Sequence, residues 1–221
     1  MSFASVSFLL FFLVVLLLLL LVQRVLPFAE IKRRIICQGI LLIASYVFYG
    51  WWNMRLCLLL MGITWISFFT AVKKDEKHLR QSRISLLIGV GTPLAVLGIF
   101  KYYDFFVTSF CEVFHLTPGV LNLILPVGIS FYTFQALSYT IDVYTGKIEK
   151  EKSFLQFALY LSFFPQLVAG PIVKASEFLP QLKENRKVTL SGLESGIQIF
   201  VFGMFKKVVL ADNISVFVDE V

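Results

Sequence analysis

With 58% hydrophobic and 15% charged residues over 221 positions, and a mean hydropathy of +0.83, this chain is too apolar for a soluble domain, in which about 25% of residues are charged. The net charge of +6 does not read as a nucleic-acid patch. The basic residues fall between apolar runs, at 24–34, 73–83, 147–152 and 183–187, with no basic–aromatic repeat. Cys37, Cys57 and Cys111 are odd in number and lack ligand-like spacing, which argues against a disulfide framework or a zinc site.

Phe3 to Val22 is uncharged and long enough to span a bilayer, which takes about 20 residues. It lacks a basic n-region and an A-x-A-like site, so it predicts a retained first helix. Ile35 to Trp52 is a second apolar run, and Trp51–Trp52 mark a membrane interface. Leu56 to Val72 is a third. Ile84 to Phe100 is a fourth, ending at an interface of Lys101, Tyr102, Tyr103 and Asp104. Phe105 to Leu116 reads as a short amphipathic stretch that lies on the surface or dips partway in.

Basic loops mark the cytoplasmic side. If the first four runs each cross once, loops 24–34 and 73–83 are cytoplasmic and the N-terminus is outside. The segment 121–141 then crosses inward and puts 147–152 inside. Phe154 to Val173 either re-enters and returns, keeping the basic 174–187 loop inside, or crosses against the charge rule. In the last segment, Ser191 to Val218, Ser191 and Glu194 fit a capping box. Gly192 and Gly196 form a small-xxx-small pair, and Lys206–Lys207 predict a bend. The expected fold is all-α: a polytopic transmembrane helical bundle with broken or re-entrant helices.

Two stretches concentrate helix breakers in apolar surroundings: LPVGISFYTFQALSYTIDVY, Leu125 to Tyr144, and SFFPQLVAGPI, Ser162 to Ile172. Lipid cannot satisfy a freed backbone group, so such breaks survive only inside protein or along a wet cavity. Tyr132, Gln135, Ser138, Tyr139 and Asp142 recur at steps of three or four and share one helical face. That polar face either lines a substrate passage or bonds neighbouring helices. Pro165, Gln166, Gly170 and Pro171 have the stronger claim to a site, because Gln166 lies between two backbone breaks.

These two motifs, with LLIASYVFYGWW at Leu41–Trp52 and FKKVVLAD at Phe205–Asp212, resemble the membrane-bound O-acyltransferases, in particular the bacterial branch that acylates exported polysaccharides. The resemblance implies transfer of an acyl group, usually acetyl, to a hydroxyl. The donor would be acetyl-CoA or an acyl-carrier protein on the cytoplasmic side, with no bound cofactor. An extracytoplasmic relay protein and a polysaccharide acceptor lie on the other side, in a bacterial plasma membrane. Such a transfer needs a general base and a donor for the oxyanion. In the family the base is a histidine on a later helix, beyond Val221. The resemblance therefore makes residues 1–221 the N-terminal part of one membrane-embedded domain, without its catalytic part and inactive alone.

His78 and His115 lie in no family motif and read as loop or interface histidines. Gly192-Leu193-Glu194-Ser195-Gly196 has its serine one place late for a nucleophile elbow. No P-loop, HExxH or GxGxxG occurs. Two other classes stay open: a transporter or channel-like protein, and a non-catalytic membrane subunit.

Overall fold

The computed structural model describes residues 5–24, 29–114, 119, 121, 123–168, 170–184 and 189–219. The described residues form ten α-helices and no strand: α1 Val6–Arg24, α2 Glu30–Gly50, α3 Met54–Thr70, α4 Leu79–Val113, α5 Ile129–Tyr144, α6 Phe154–Ser162, α7 Phe164–Leu167, α8 Ala175–Lys183, α9 Leu190–Phe205 and α10 Asp212–Asp219. The chain falls into two compact units, Arg34–Glu184 and a second made of Met1–Arg33 with Asn185–Val221.

In the larger unit, α3 and α4 pack on α5, and α6 packs on α3, α5 and α8. Its core is aromatic. Phe157 of α6 is fully buried, with ring centroids 4.5 Å from Tyr139 of α5, 5.6 Å from Phe68 of α3 and 6.2 Å from Tyr160. Three buried hydroxyls inside the helices return to their own backbones: Thr64, Thr140 and Ser162 each donate to the carbonyl four residues back, at 2.7–2.9 Å.

Helix α4 departs from the expected pattern. The fourth apolar run and the supposed surface stretch 105–116 are one helix through Val113, 35 residues and about 52 Å long. Lys101 to Asp104 lie inside it rather than at its end. Its buried stripe, Ser82, Gly89, Pro93 and Leu97, keeps helical spacing across Pro93. Pro93 removes a bond to the Gly89 carbonyl, and at Gly89 three helices converge. A Cβ there would sit 2.5 Å from Thr70 Oγ1 of α3 and 2.9 Å from Thr140 Cγ2 of α5.

In the smaller unit, the cap of α9 is Thr189, whose side chain accepts from the Gly192 N–H at 3.1 Å, and not Ser191. Nothing packs within 4 Å of a Cβ at Gly196. The Lys206–Lys207 interruption is a π-helical turn, Lys206–Ala211, that leads into α10 without a break. The wider turn suits the pair five residues apart, Lys207 Nζ and the Asp212 carboxylate, at 3.1 Å.

By length and apolarity, α1 and α4 can each cross a membrane, and Met54–Thr70 and Phe154–Leu167 are shorter apolar helical stretches. The three cysteines all lie on helices and form no disulfide.

Candidate functional site

The second motif builds a hairpin. Helix α6 starts at Ser153, whose side chain accepts from the Gln156 N–H, and runs nine residues. It breaks at Phe163, where ψ of 111° leaves the helical range, and α7 restarts with Pro165 in its first turn. Pro165 fits there because a first-turn residue needs no intrahelical N–H bond. The chain then turns through Gly170 and Pro171, and α8 leads back. Glu151 before α6 and Lys183 at the end of α8 form a 2.7 Å ion pair. The two ends of the segment thus lie together.

A break at Phe163 frees two backbone groups that a continuous helix would join: the Phe164 N–H and the Tyr160 carbonyl. Both are satisfied. Phe164 donates to Ser45 Oγ of α2 at 3.2 Å, while Ser45 donates to the Leu41 carbonyl. Gln166 Nε2 donates to the Tyr160 carbonyl at 2.9 Å. The Gln166 amide therefore replaces the lost helical bond. Replacing Gln166 with leucine strands that buried carbonyl and lowers stability by about 1–3 kcal/mol. A wild-type melting temperature for this variant would refute the role.

The hairpin tip meets the start of α5 at Gly128. This residue has φ of 76°, and a Cβ on it would overlap the Leu167 carbonyl oxygen. At Gly170 a Cβ would overlap the Gln166 backbone. Both glycines are required by close backbone approach.

Among the sequence-predicted residues, Tyr132, Gln135 and Tyr139 are buried on α5. Tyr132 packs edge-on to Tyr49 of α2, with centroids 6.5 Å apart. The Tyr139 hydroxyl accepts from the Glu151 N–H at 2.9 Å. Ser138 and Asp142 share that helix but are half-buried. Ser138 donates to Asp142 at 3.5 Å, and Asp142 pairs with Lys147 at 3.5 Å. Gln166 is buried, Gly170 half-buried, and Pro165 and Pro171 exposed. The structure thus brings Tyr139 to the hairpin base and Gln166 to its tip, while Asp142 pairs with Ser138 and Lys147 ahead of the hairpin. A groove of about 440 Å³ along α4, lined by Ile84, Leu87, Ile88 and Ile99 among others, contains none of the nine. His78 is exposed at the start of α4, with Nδ1 3.0 Å from Asp75. His115 lies outside the described residues. No group of three His, Cys, Asp or Glu side chains could hold a metal among the described residues.

Four residues at the hairpin base carry no motif in the sequence: Glu151, Lys183, Arg34 and Gln38. Glu151 is 5% exposed. Its Oε1 accepts from the N–H groups of Lys152 and Ser153 at 2.8 and 3.0 Å. Burial alone would raise its pKa. The Lys183 ammonium and these two N–H groups outweigh burial, and hold the carboxyl below the usual glutamate range. A depressed pKa gives stability that is complete above the unfolded value, about 4.3, and lost as pH falls through the lower folded value. Melting temperature in detergent should therefore fall below about pH 4. A Glu151→Gln variant, less stable at neutral pH, should lose less on acidification. Equal acid losses in the two proteins would sink the assignment.

The profile of the membrane-bound O-acyltransferase family matches residues 147–220, which include the whole hairpin. The chain is 38% identical, over 187 residues, to a Pseudomonas putida protein named "Probable alginate O-acetylase"; the match covers 82% of this chain and 38% of that one. It is 37% identical over 206 residues to the peptidoglycan O-acetyltransferase of Helicobacter pylori, covering 81% of this chain and 39% of that one. The chain belongs to the membrane-bound O-acyltransferase family. It spans less than two fifths of the length of these curated relatives. A more distant relative, a teichoic acid D-alanyltransferase of Streptococcus thermophilus, is 31% identical over 97 residues, 43% of this chain and 22% of that protein. No solved structure matches. Within this family member, the profile opens at Lys147, four residues before the buried Glu151, so the hairpin base and tip both lie in the part that carries the family pattern.

Proposed function

We propose that residues 1–221 are the N-terminal part of a multi-pass membrane acyltransferase. It moves an acyl group, acetyl in the simplest case, toward hydroxyls of an exported cell-surface polysaccharide. The carrying observation is the identity of more than one third, over four fifths of the chain, to relatives named for acetylation of alginate and of peptidoglycan. In this reading the protein lies in the bacterial plasma membrane with its N-terminus outside. The hairpin enters from the cytoplasmic side and returns there. That reading is supported by the Glu151–Lys183 pair and by the nine-residue α6, about 14 Å long against a bilayer core of about 30 Å.

The donor, acetyl-CoA or an acyl-carrier protein, approaches from the cytoplasm, and a relay protein receives the group outside. Tyr132, Gln135, Ser138, Tyr139 and Asp142 of α5, with Pro165, Gln166, Gly170 and Pro171 of the hairpin, flank the passage. The hairpin's part is to place ordered backbone and a buried amide at depth. The general base comes from chain outside these residues, since His78 and His115 lie in no family motif.

Two measurements test the proposal. Labelled acetate should enter surface polysaccharide in cells carrying the complete gene and should be lost on deletion. The purified 221-residue chain should transfer no acetyl group above a vector-only membrane control. Unchanged polysaccharide acetylation in the deletion strain would overturn the functional reading.

A further inference from the structure

The hairpin is fastened by different means at its two ends. Its base is held by charge. Lys183 Nζ meets Glu151 Oε2 at 2.7 Å, and two backbone N–H groups occupy Oε1. The last carbonyls of α8, which no helical partner can satisfy, are taken by α2. Gln38 Nε2 donates to the Leu182 carbonyl at 2.7 Å, and Arg34 Nη1 donates to the Lys183 carbonyl. The Tyr139 hydroxyl joins the same cluster to α5 through the Glu151 N–H. Side chains of α2 and α5 and the ends of α6 and α8 thus gather around the Glu151–Lys183 pair, without α2 or α5 touching the carboxylate itself. Burying a charge costs several kcal/mol unless it is fully partnered. The donors around Glu151 supply those partners, so the arrangement tolerates little displacement.

The tip is held by the Phe164-to-Ser45 hydrogen bond, by the Phe164 ring against Phe48 of α2 with centroids 5.7 Å apart, and by the contact of Gly128 with Leu167. Between base and tip stands α6, whose residues Gln156 to Ser162 are all buried. A packed single helix moves as a rod, so a shift at its base reaches the tip about 14 Å away.

We propose that Glu151 and Lys183 are positioning residues for acyl transfer: their ion pair, seated on α2 through Arg34 and Gln38, clamps the hairpin base and sets the depth of the tip at Phe164–Leu167. This rests on the acyltransfer reading above. The pair touches no reacting atom. It acts through α6 on the backbone placed beside the passage, where a displacement of about 1 Å can lower a rate up to a hundredfold.

The test uses membrane vesicles from cells carrying the complete gene, with radiolabelled acetyl-CoA as the probe. Lys183→Met should lower the maximal transfer rate by about tenfold or more and leave the half-saturating probe concentration unchanged. Lys183→Arg, which keeps the charge, should recover most of the rate. Hydrogen-exchange mass spectrometry on the same protein provides the structural readout. In Lys183→Met, and in the near-isosteric Glu151→Gln, the Phe164–Leu167 amides should exchange faster while the α3 amides keep their protection. A wild-type rate and wild-type tip exchange in both variants would overturn the proposal. So would a loss of protection in α3 that matches the tip, since the pair would then serve general stability. No transfer by unaltered vesicles from either radiolabelled acetyl-CoA or acetyl-loaded acyl-carrier protein would instead overturn the acyltransfer reading. Transfer at the wild-type rate in Lys183→Met overturns the positioning role alone.

Discussion

Replacing Gly128 with alanine lowers stability by about 2–5 kcal/mol. Two independent costs add at this position. A residue with a Cβ adopts φ of 76° at a cost of about 1–2 kcal/mol. The new carbon also overlaps the Leu167 carbonyl oxygen, which belongs to backbone and cannot rotate away. Relief requires the α5 start and the hairpin tip to separate. Gly146 isolates the second cost. It has the same φ of 76°, but a Cβ there meets only the flexible Lys73 side chain, at 3.3 Å. Gly146→Ala should therefore lose only the conformational share. Melting temperatures from fluorescence-detected size exclusion give the comparison, and equal losses at the two glycines would show that the tip does not press on α5.

Phe157→Ala should cost about 3–5 kcal/mol, the range for deleting a buried aromatic ring. Phe157 is fully buried between Tyr139, Phe68 and Tyr160, so its ring joins α3, α5 and α6 at one point. Its loss leaves a space that surrounding helices cannot close without moving the hairpin. Phe157→Leu, which refills part of the volume, should recover at least half of the loss. A cost below about 1 kcal/mol for the alanine variant would mean that the hairpin packs elsewhere than on this ring.

The helices that packing periodicity defines were legible in the sequence. The runs Ile35–Trp52 and Leu56–Val72 became α2 and α3 within two or five residues at each end. The polar face of α5 was legible as a face, because Tyr132, Gln135 and Tyr139 keep helical spacing and all are buried. Its division was not: Ser138 and Asp142 lie half out of the core, which spacing alone does not encode. The length of α4 was misread because Lys101, Tyr102, Tyr103 and Asp104 have the composition of an interface, yet their backbone stays helical. Pro165 and Gly170–Pro171 announced a break without deciding between crossing and return. The contact that brings the two ends of the segment together joins Glu151 and Lys183, 32 positions apart, and no local pattern reports such a pair. Glu151 did leave a faint local trace, an acidic residue just ahead of the Ser153 cap, where a helix start favours negative charge.

The hairpin's anchors also share one side of the chain. Apart from its own ion pair, the groups that fasten it to other helices (Arg34, Gln38, Ser45, Gly128 and Tyr139) are all earlier in the chain. At nine residues, α6 is too short to enter a bilayer as an independent span. A chain made only as far as Tyr144 therefore already holds the Ser45 hydroxyl, the Gly128 turn and the Tyr139 hydroxyl on which the hairpin closes.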